Sequence, residues 1–362
     1  MAVEVSAPGR LCLFGEHQDF LGLSVIATAI DLDIRITATP RADSIFAIRK
    51  PDLADRDEAD YDEFDGSAKL PYRHKRDYLR SATNVAREAG LTLSHGYDCE
   101  IRGRIPMNAG TSSSSALTIA WTTFLLATQE GEVDRSPEHI AWLGYLAEVE
   151  EHGEAGGMMD HYTSAVGNLL YIDCRKPITV FPLPTTLEGF VLGDTGIPKN
   201  TVCTLRESRQ ATEAGVKFLT ERIPGFDLKT TPMDQAAEYF PELPEGTRHL
   251  VQSHFINRDL CLEARAMLAS GQVDEARLGQ MLYEHQVQLR DGIGVSHPML
   301  DRLIDAAMEA GALGGKLNGS GCGGAMFAYA PGKQEQVAEA INHAGGKAYI
   351  VRQRGGVSVT MN

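Results

Sequence analysis

The chain has 362 residues, 43% hydrophobic and 23% charged, with a formal net charge of −15. That length buries sizeable cores and leaves room for two domains, and the composition excludes wholesale disorder. The acidic balance excludes a polyphosphate backbone as partner, because holding one takes a basic face, but it leaves room for a single nucleotide held by local donors.

Residues 2–50 read as strands; in Leu32, Ile34, Ile36 and Ala38 apolar residues alternate with polar ones, the period of a half-buried strand. Residues 51–68 (PDLADRDEADYDEFDGSA) are a carboxylate run broken by proline and glycine, read as a solvated surface loop. Its spacing matches no calcium loop. Tyr78, Ala82, Val85 and Ala89 predict a helix over 77–89, stopped by Gly90. A strand is expected over 96–102. A helix then opens at the serines of 112–115, with Leu117, Ala120, Trp121, Phe124 and Leu125 at helical spacing. Another helix is expected from Pro137 to Glu151, and strands over 168–195. The second half reads as helices at 201–222, 246–269, 273–291 and 298–310, with strands near 324–329 and 347–351. Pro177, Pro182 and Pro184 set the expected division at 185, giving domains 1–185 and 186–362.

No basic, apolar leader opens the chain and no apolar run approaches the ~20 residues of a membrane span. Six scattered cysteines without a C-x-x-C pair read as the thiols of a reduced, cytoplasmic enzyme.

Three small-residue segments carry the chemistry: APGRLCLFGEHQDF at 7–20, IPMNAGTSSSSAL at 105–117 and KLNGSGCGGAMF at 316–327. In the second, Gly110 permits a tight turn, and Ser112, Ser113, Ser114 and Ser115 sit where a helix begins. Unpaired N–H groups and partial positive charge there suit phosphate, and a serine hydroxyl can ligate Mg²⁺. A plain serine N-cap accounts for one of the four. In the third, Gly319, Gly321 and Gly324 fit G-x-G-x-x-G, but AMFAYAPG follows as a strand, where a dinucleotide fold needs a helix. Neither a P-loop G-x-x-x-x-G-K-[ST] nor a nucleophile elbow G-x-S-x-G occurs. In the first, the carboxylates and imidazole of Glu16, His17 and Asp19 suit sugar hydroxyls, while Arg10 suits phosphate or a carboxylate. Together the segments point to a nucleotide-phosphate site assembled from distant sequence, that of a small-molecule kinase.

These segments resemble the three signature motifs of the GHMP kinases (galactokinase, homoserine kinase, mevalonate kinase, phosphomevalonate kinase). The first is most similar to the galactokinase pattern, roughly A-P-G-R-V-N-L-I-G-E-H-T-D-Y. GGMMDHYTSAVGNLLYIDC at 156–174 resembles the galactokinase segment with the catalytic aspartate, G-I-M-D-Q-F. LRDGIGVSHPMLDRLIDAA at 289–307 resembles its S-H-x-L-L-R-D-x-Y-x-V-S-x-P-E-L-D region. The similarity runs from residue 4 to about 330.

The resemblance implies an α+β, two-domain fold, with an S5-domain-2-like N-terminal domain, a ferredoxin-like C-terminal domain and the active site between them. It implies Asp160 as the catalytic aspartate, paired with Arg10, and Glu16, His17 and Asp19 around the sugar. Asn108, Gly110, Thr111, Ser112, Ser113, Ser114, Ser115, Gly319 and Gly321 would surround the nucleotide. Mg²⁺ would sit on Ser114 and on Glu151, with Glu150 the competing assignment. The implied substrates are ATP and a sugar with its anomeric hydroxyl as acceptor, the implied assembly a monomer or homodimer. The chain departs from the pattern at Cys12, Gln18, Leu21, Leu23, Asn108, Asn318 and Cys322, more on the sugar side than in the phosphate machinery. Two other readings stand beside this one: a mevalonate-type small-alcohol kinase, and a non-catalytic ATP- and sugar-sensing homologue.

Overall fold

The computed structural model describes residues 2–53, 60–93, 95–106, 110–129, 131–154, 156–198 and 201–361, with backbone alone at 201–207. The first half runs β1 (Val3–Phe14), β2 (Val25–Pro40), β3 (Ile45–Arg49), β4 (Tyr61–Asp65), α1 (Tyr78–Glu88), β5 (Tyr97–Gly103), α2 (Ser113–Ala127), α3 (Pro137–Tyr145), α4 (Met159–Val166), β6 (Leu169–Asp173) and β7 (Thr179–Pro182). The second runs β8 (Phe190–Asp194), α5 (Thr201–Arg222), α6 (Met233–Ala237), α7 (Arg248–Ser270), α8 (Glu275–Val287), α9 (Pro298–Glu309), β9 (Gly314–Asn318), β10 (Ala325–Tyr329), α10 (Gln334–His343), β11 (Lys347–Val351) and β12 (Ser358–Met361).

One sheet is ordered β12-β1-β2-β5-β3-β4, with β6 paired to the free half of β2 and β7 to β6. The other is antiparallel, ordered β11-β8-β10-β9. Taken in chain order, its strands and intervening helices make the ferredoxin-like β-α-β-β-α-β pattern. The 51–68 stretch is not wholly a loop, because β4 pairs antiparallel with β3. Phe64 turns inward while Arg73 and Arg80 neutralise Asp62 at 2.7 Å each, which makes an acidic strand tolerable there. The last strand also crosses the division at 185. β12 pairs with β1, Val3 opposite Met361, and so covers a backbone edge that would otherwise stay open.

β1 decides where the first segment points. Val3, Val5 and Ala7 face the core under α2, where Trp121 and Phe124 are fully buried. Register shifts at Pro8/Arg10 and Cys12/Phe14 break the alternation. Beyond the first, Leu11 and Leu13 face a second core shared with Phe190, Leu282 and Phe327, and Cys12 returns to the first. The bulge thus swaps parity, and Arg10 is turned to the face where α4 lies.

Helix α2 is apolar around most of its circumference, as a helix enclosed by β1, β2, α1 and α3 must be. Its Trp121 indole donates to Thr83 of α1 at 3.0 Å, so burial leaves no donor unpaired. Helix α3 does not stay α-helical to Glu151. It widens into a π-helical turn at Leu146–Glu150, a distortion frequent at functional sites. Among the described residues no helix is long and apolar enough to cross a membrane.

Candidate active site

The three segments meet through their backbones. Gly110 and Gly319, at φ 77° and 87°, lie so close that a Cβ on Gly110 would sit 2.3 Å from the Asn318 carbonyl oxygen. No other residue type fits that approach. Asn318 binds the junction together: its Oδ1 accepts from the Cys12 N–H at 2.9 Å, and its Nδ2 donates to the carbonyls of Arg10 at 3.3 Å and Gly110 at 3.1 Å. Gly319 borders the active-site cavity, whereas Gly321 packs on Val295 away from it, and Gly110 and Thr111 serve the junction. Asn108 lies outside the described residues.

Asp160 stands in the first turn of α4, but Met158 is the N-cap and its side chain makes no capping bond. The carboxylate instead meets Arg10, Nε to Oδ1 at 2.7 Å, while Arg10 Nη1 donates to the Gly110 carbonyl at 2.6 Å. Burial works against ionising Asp160, yet Arg10 and the nearby Ser112 hydroxyl hold its carboxyl below the ordinary value. It is a carboxylate at neutral pH.

Ser112 is the N-cap of α2 in a left-handed conformation, φ 61°, and makes no capping bond, so its hydroxyl is not spent on the helix. Ser112, Ser114 and Ser115 border the cavity. The carboxylate facing Ser114 and Ser115 is Glu148, from the π-helical turn. Burial opposes its ionisation, but His161, 2.8 Å from Oε2, and the hydroxyls of Ser114 and Ser115 keep its carboxyl low. Glu151 is exposed and accepts from the Tyr72 phenol, while Glu150 accepts from Tyr145 at 2.6 Å. Neither borders the cavity. The sequence carried a signal for Glu148: Ile140, Ala141 and Gly144 form the buried stripe of α3, and Glu148 continues it.

Glu16, His17 and Asp19 gather at the other end of the same cavity. Glu16 is paired at 3.0 Å with Lys316, a fully buried lysine that sequence reasoning passed over. His17 adopts φ 62°, and burial, with Lys316 adding to it, lowers its imidazole below the ordinary range. Asp19 is pushed up to about 6 by burial and by the Asp160 carboxylate. Gly157 presses on it; a Cβ there would lie 1.9 Å from Asp19 Oδ2.

The cavity encloses about 180 Å³ and is also bordered by Lys75, Arg76, Tyr78 and Glu154, none of them expected from sequence. Arg76 holds Glu154 through two bonds, at 2.9 and 2.8 Å. A helix start rich in N–H donors, a hydroxyl–carboxylate pair, an ionised aspartate against an arginine and a hydroxyl-binding cluster thus open on one space.

Comparison with known proteins places this arrangement. Residues 77–168 match the GHMP kinases N terminal domain, 268–347 the GHMP kinases C terminal model, and 2–40 the galactokinase galactose-binding signature. A galactokinase of Roseiflexus sp. (strain RS-1) is 32% identical, the match covering 99% of this chain and 93% of that protein. A mevalonate kinase of Pyrococcus horikoshii is 30% identical over 97% of this chain and 95% of its own. The fold is similar to the crystal structure of Lactococcus lactis galactokinase complexed with galactose, with a TM-score of 0.85 at 20% identity over 99% of this chain and 95% of that one. With the signature models matched in chain order and a relative this similar over its whole length, the chain belongs to the GHMP kinases and is most like the galactokinases among them.

Proposed function

We propose that the chain is an ATP-dependent sugar kinase that moves the γ-phosphoryl group of ATP to a monosaccharide hydroxyl, the anomeric C1–OH of galactose or a related sugar. The observation that carries this reading is the Arg10–Asp160 pair at 2.7 Å, in the one cavity that also holds the serine helix start and the Glu16, His17 and Asp19 cluster.

Phosphoryl transfer has a loose transition state, so positioning and charge neutralisation do most of the work. The unpaired N–H groups at the start of α2, with the Ser112, Ser114 and Ser115 hydroxyls, receive the nucleotide phosphates. Glu16, His17 and Asp19 orient the sugar. The acceptor oxygen forms its bond to the γ-phosphorus as the bond to the bridging oxygen breaks, and ADP leaves with that electron pair. Asp160 takes the acceptor's proton, and Arg10 both keeps it ionised and faces the transferring group. Glu148 and Ser114 offer hard oxygen donors, a buried carboxylate and a hydroxyl side by side, and these fit Mg²⁺. We assign to Glu148 the role that resemblance alone gave to Glu151. When bound there, Mg²⁺ supplies neutralisation of the phosphate charge.

The mevalonate kinase relatives raise a second acceptor class, an alcohol that carries a carboxylate. The acceptor end argues against it. Glu16, Asp19 and Asp160 bring three carboxylates together, and the cations beside them, Arg10 and Lys316, are already paired with Asp160 and Glu16. Asp19's carboxyl is raised by burial first and by the Asp160 carboxylate after it. A further carboxylate would be repelled there.

The test is ADP release with Mg²⁺ and ATP over a panel of neutral monosaccharides and mevalonate, with ³¹P NMR of the product. A sugar 1-phosphate is the expected product. Turnover of mevalonate but of no sugar would overturn the reading, and no turnover of any acceptor with ATP still bound would favour a sensor.

A further inference from the structure

We infer that His161 is a positioning residue for Glu148, holding that carboxylate so that one oxygen stays turned toward Ser114 and the cavity. The inference rests on the reading of Glu148 and Ser114 as the Mg²⁺ ligands.

The two side chains are buried, 1% of His161 and 8% of Glu148 being exposed, and His161 Nε2 lies 2.8 Å from Glu148 Oε2. His161 Nδ1 is buried with no partner among the described residues. A proton placed there would be an unpaired buried donor, whereas a proton on Nε2 is donated to the carboxylate, so the second arrangement is the stable one. The ring has little freedom to leave it. The Tyr145 ring packs against it edge to face, centroids 5.8 Å apart at 86°, and the Gly144 backbone lies beside it, where a Cβ would be 3.5 Å from the imidazole.

The consequence is a division of the Glu148 carboxylate. Oε2 is committed to His161, and the remaining lone pairs are left for the serines and a cation. Glu148 is mounted on the π-helical turn, and its carboxylate takes an anchor from outside that turn. His161 supplies it from α4, immediately after Asp160. The base and the anchor of the metal carboxylate therefore share one helical turn and cannot drift relative to each other. Partners of this kind around a metal ligand are worth 10–100-fold in metal affinity. The G-I-M-D-Q-F pattern has Gln at this position, an amide that can donate the same bond.

The experiment is Mn²⁺ binding, followed by electron paramagnetic resonance, to the full-length protein in complex with a non-hydrolysable ATP analogue. Wild type is compared with His161→Phe, His161→Gln and Glu148→Gln, each checked for its melting transition. His161→Phe is expected to weaken Mn²⁺ binding about 10–100-fold, and His161→Gln to bind within a few-fold of wild type. If His161→Phe does not fold, His161→Met takes its place, since it also lacks the donor. Wild-type affinity in the donor-less variant, with affinity lost in Glu148→Gln, overturns the role of His161 and leaves the metal reading standing. Loss in His161→Gln equal to that in the donor-less variant also overturns it, because the donated bond is then irrelevant. Wild-type affinity in Glu148→Gln overturns the metal reading itself.

Discussion

Nζ of Lys316 lies 3.0 Å from Oε2 of Glu16, and both side chains are buried. The lysine also donates to the carbonyls of Cys12 at 2.8 Å and Leu317 at 2.6 Å, so its three protons are all spoken for. It ties β9 to β1 and makes Glu16 half of a buried ion pair. Removing one partner strands the other, at a cost of about 3–5 kcal/mol. Lys316→Met is therefore expected to lower the unfolding free energy by that much, and the double variant with Glu16→Gln to recover most of the loss. A double-mutant cycle by urea denaturation checks it; a neutral Lys316→Met would mean that the pair does not form.

Gly157 bears on the sugar through Asp19. The 1.9 Å separation that a Cβ would have from Asp19 Oδ2 forces the carboxylate aside in Gly157→Ala. A misplaced hydrogen bond to a bound hydroxyl costs about 1–3 kcal/mol. The sugar KM is expected to rise by about tenfold or more while the ATP KM stays put. Steady-state kinetics in both substrates decide it, an unchanged sugar KM counting against Asp19 as a sugar contact.

Asp19 also sets a pH dependence. Its carboxyl titrates near 6 in the folded protein, raised by burial and then by Asp160, against about 3.9 in an unfolded chain. The folded state thus binds this proton more tightly. The group stabilises the fold at low pH, and that contribution is lost as pH rises through 6. Asp19→Asn is expected to gain about 1–3 kcal/mol at pH 8 and much less at pH 4.5. For the free enzyme, kcat/KM for sugar should fall as pH drops through about 6, and this acid limb should vanish in Asp19→Asn. Asp160, held low by Arg10 despite its burial, does not contribute that limb.

Asp160→Asn separates chemistry from structure. Because Asp160 caps nothing, the substitution is not the neutral exchange that a capping residue would allow. It leaves Arg10 buried without its counter-charge, so the melting temperature should fall. In the folded fraction kcat should drop about 10²–10⁴-fold, with binding of an ATP analogue retained. An unchanged kcat would remove Asp160 as the base.

The metal assignment is tested by a pair of single changes. Glu148→Gln is expected to raise the Mg²⁺ requirement and cut kcat, and Glu151→Gln to do neither, since Glu151 lies exposed against Tyr72. Titration of activity with Mg²⁺ distinguishes them, and the reverse result would return the role to Glu151.

How much of this was legible in the sequence depended on the range of the interaction. Helix α1 forms where local spacing put it, with Ala82 and Val85 buried as expected, but Tyr78 is half-buried and Ala89 exposed, and Leu79 and Ala86 take the inner face instead. The residues of the first segment were legible as chemistry because small-residue turns advertise them, whereas Asp160 was reached only through the resemblance of 156–174 to the galactokinase segment. Glu148 was obscured by two neighbouring carboxylates, Glu150 and Glu151, and by a helix that widens just where they fall. Its place on the buried stripe of α3 would have singled it out. Lys316 gave no local sign at all, because its partner is 300 residues away. The acidic stretch misled for a similar reason: Asp62 looks solvated until Arg73 and Arg80 are brought to it.

Strand β1 carries apolar residues to two cores, one under α2 and one filled from the second half by Phe190, Leu260, Leu282 and Phe327. A protein whose halves met through a polar seam could open and shut by swinging one half on the other. Here such a hinge would have to draw Leu11, Leu13, Ile26 and Ile30 into water, against the area-proportional cost of exposing apolar surface. Substrate entry and product exit are then expected to leave the two halves together as one frame. For the same reason neither half, expressed by itself, should remain soluble.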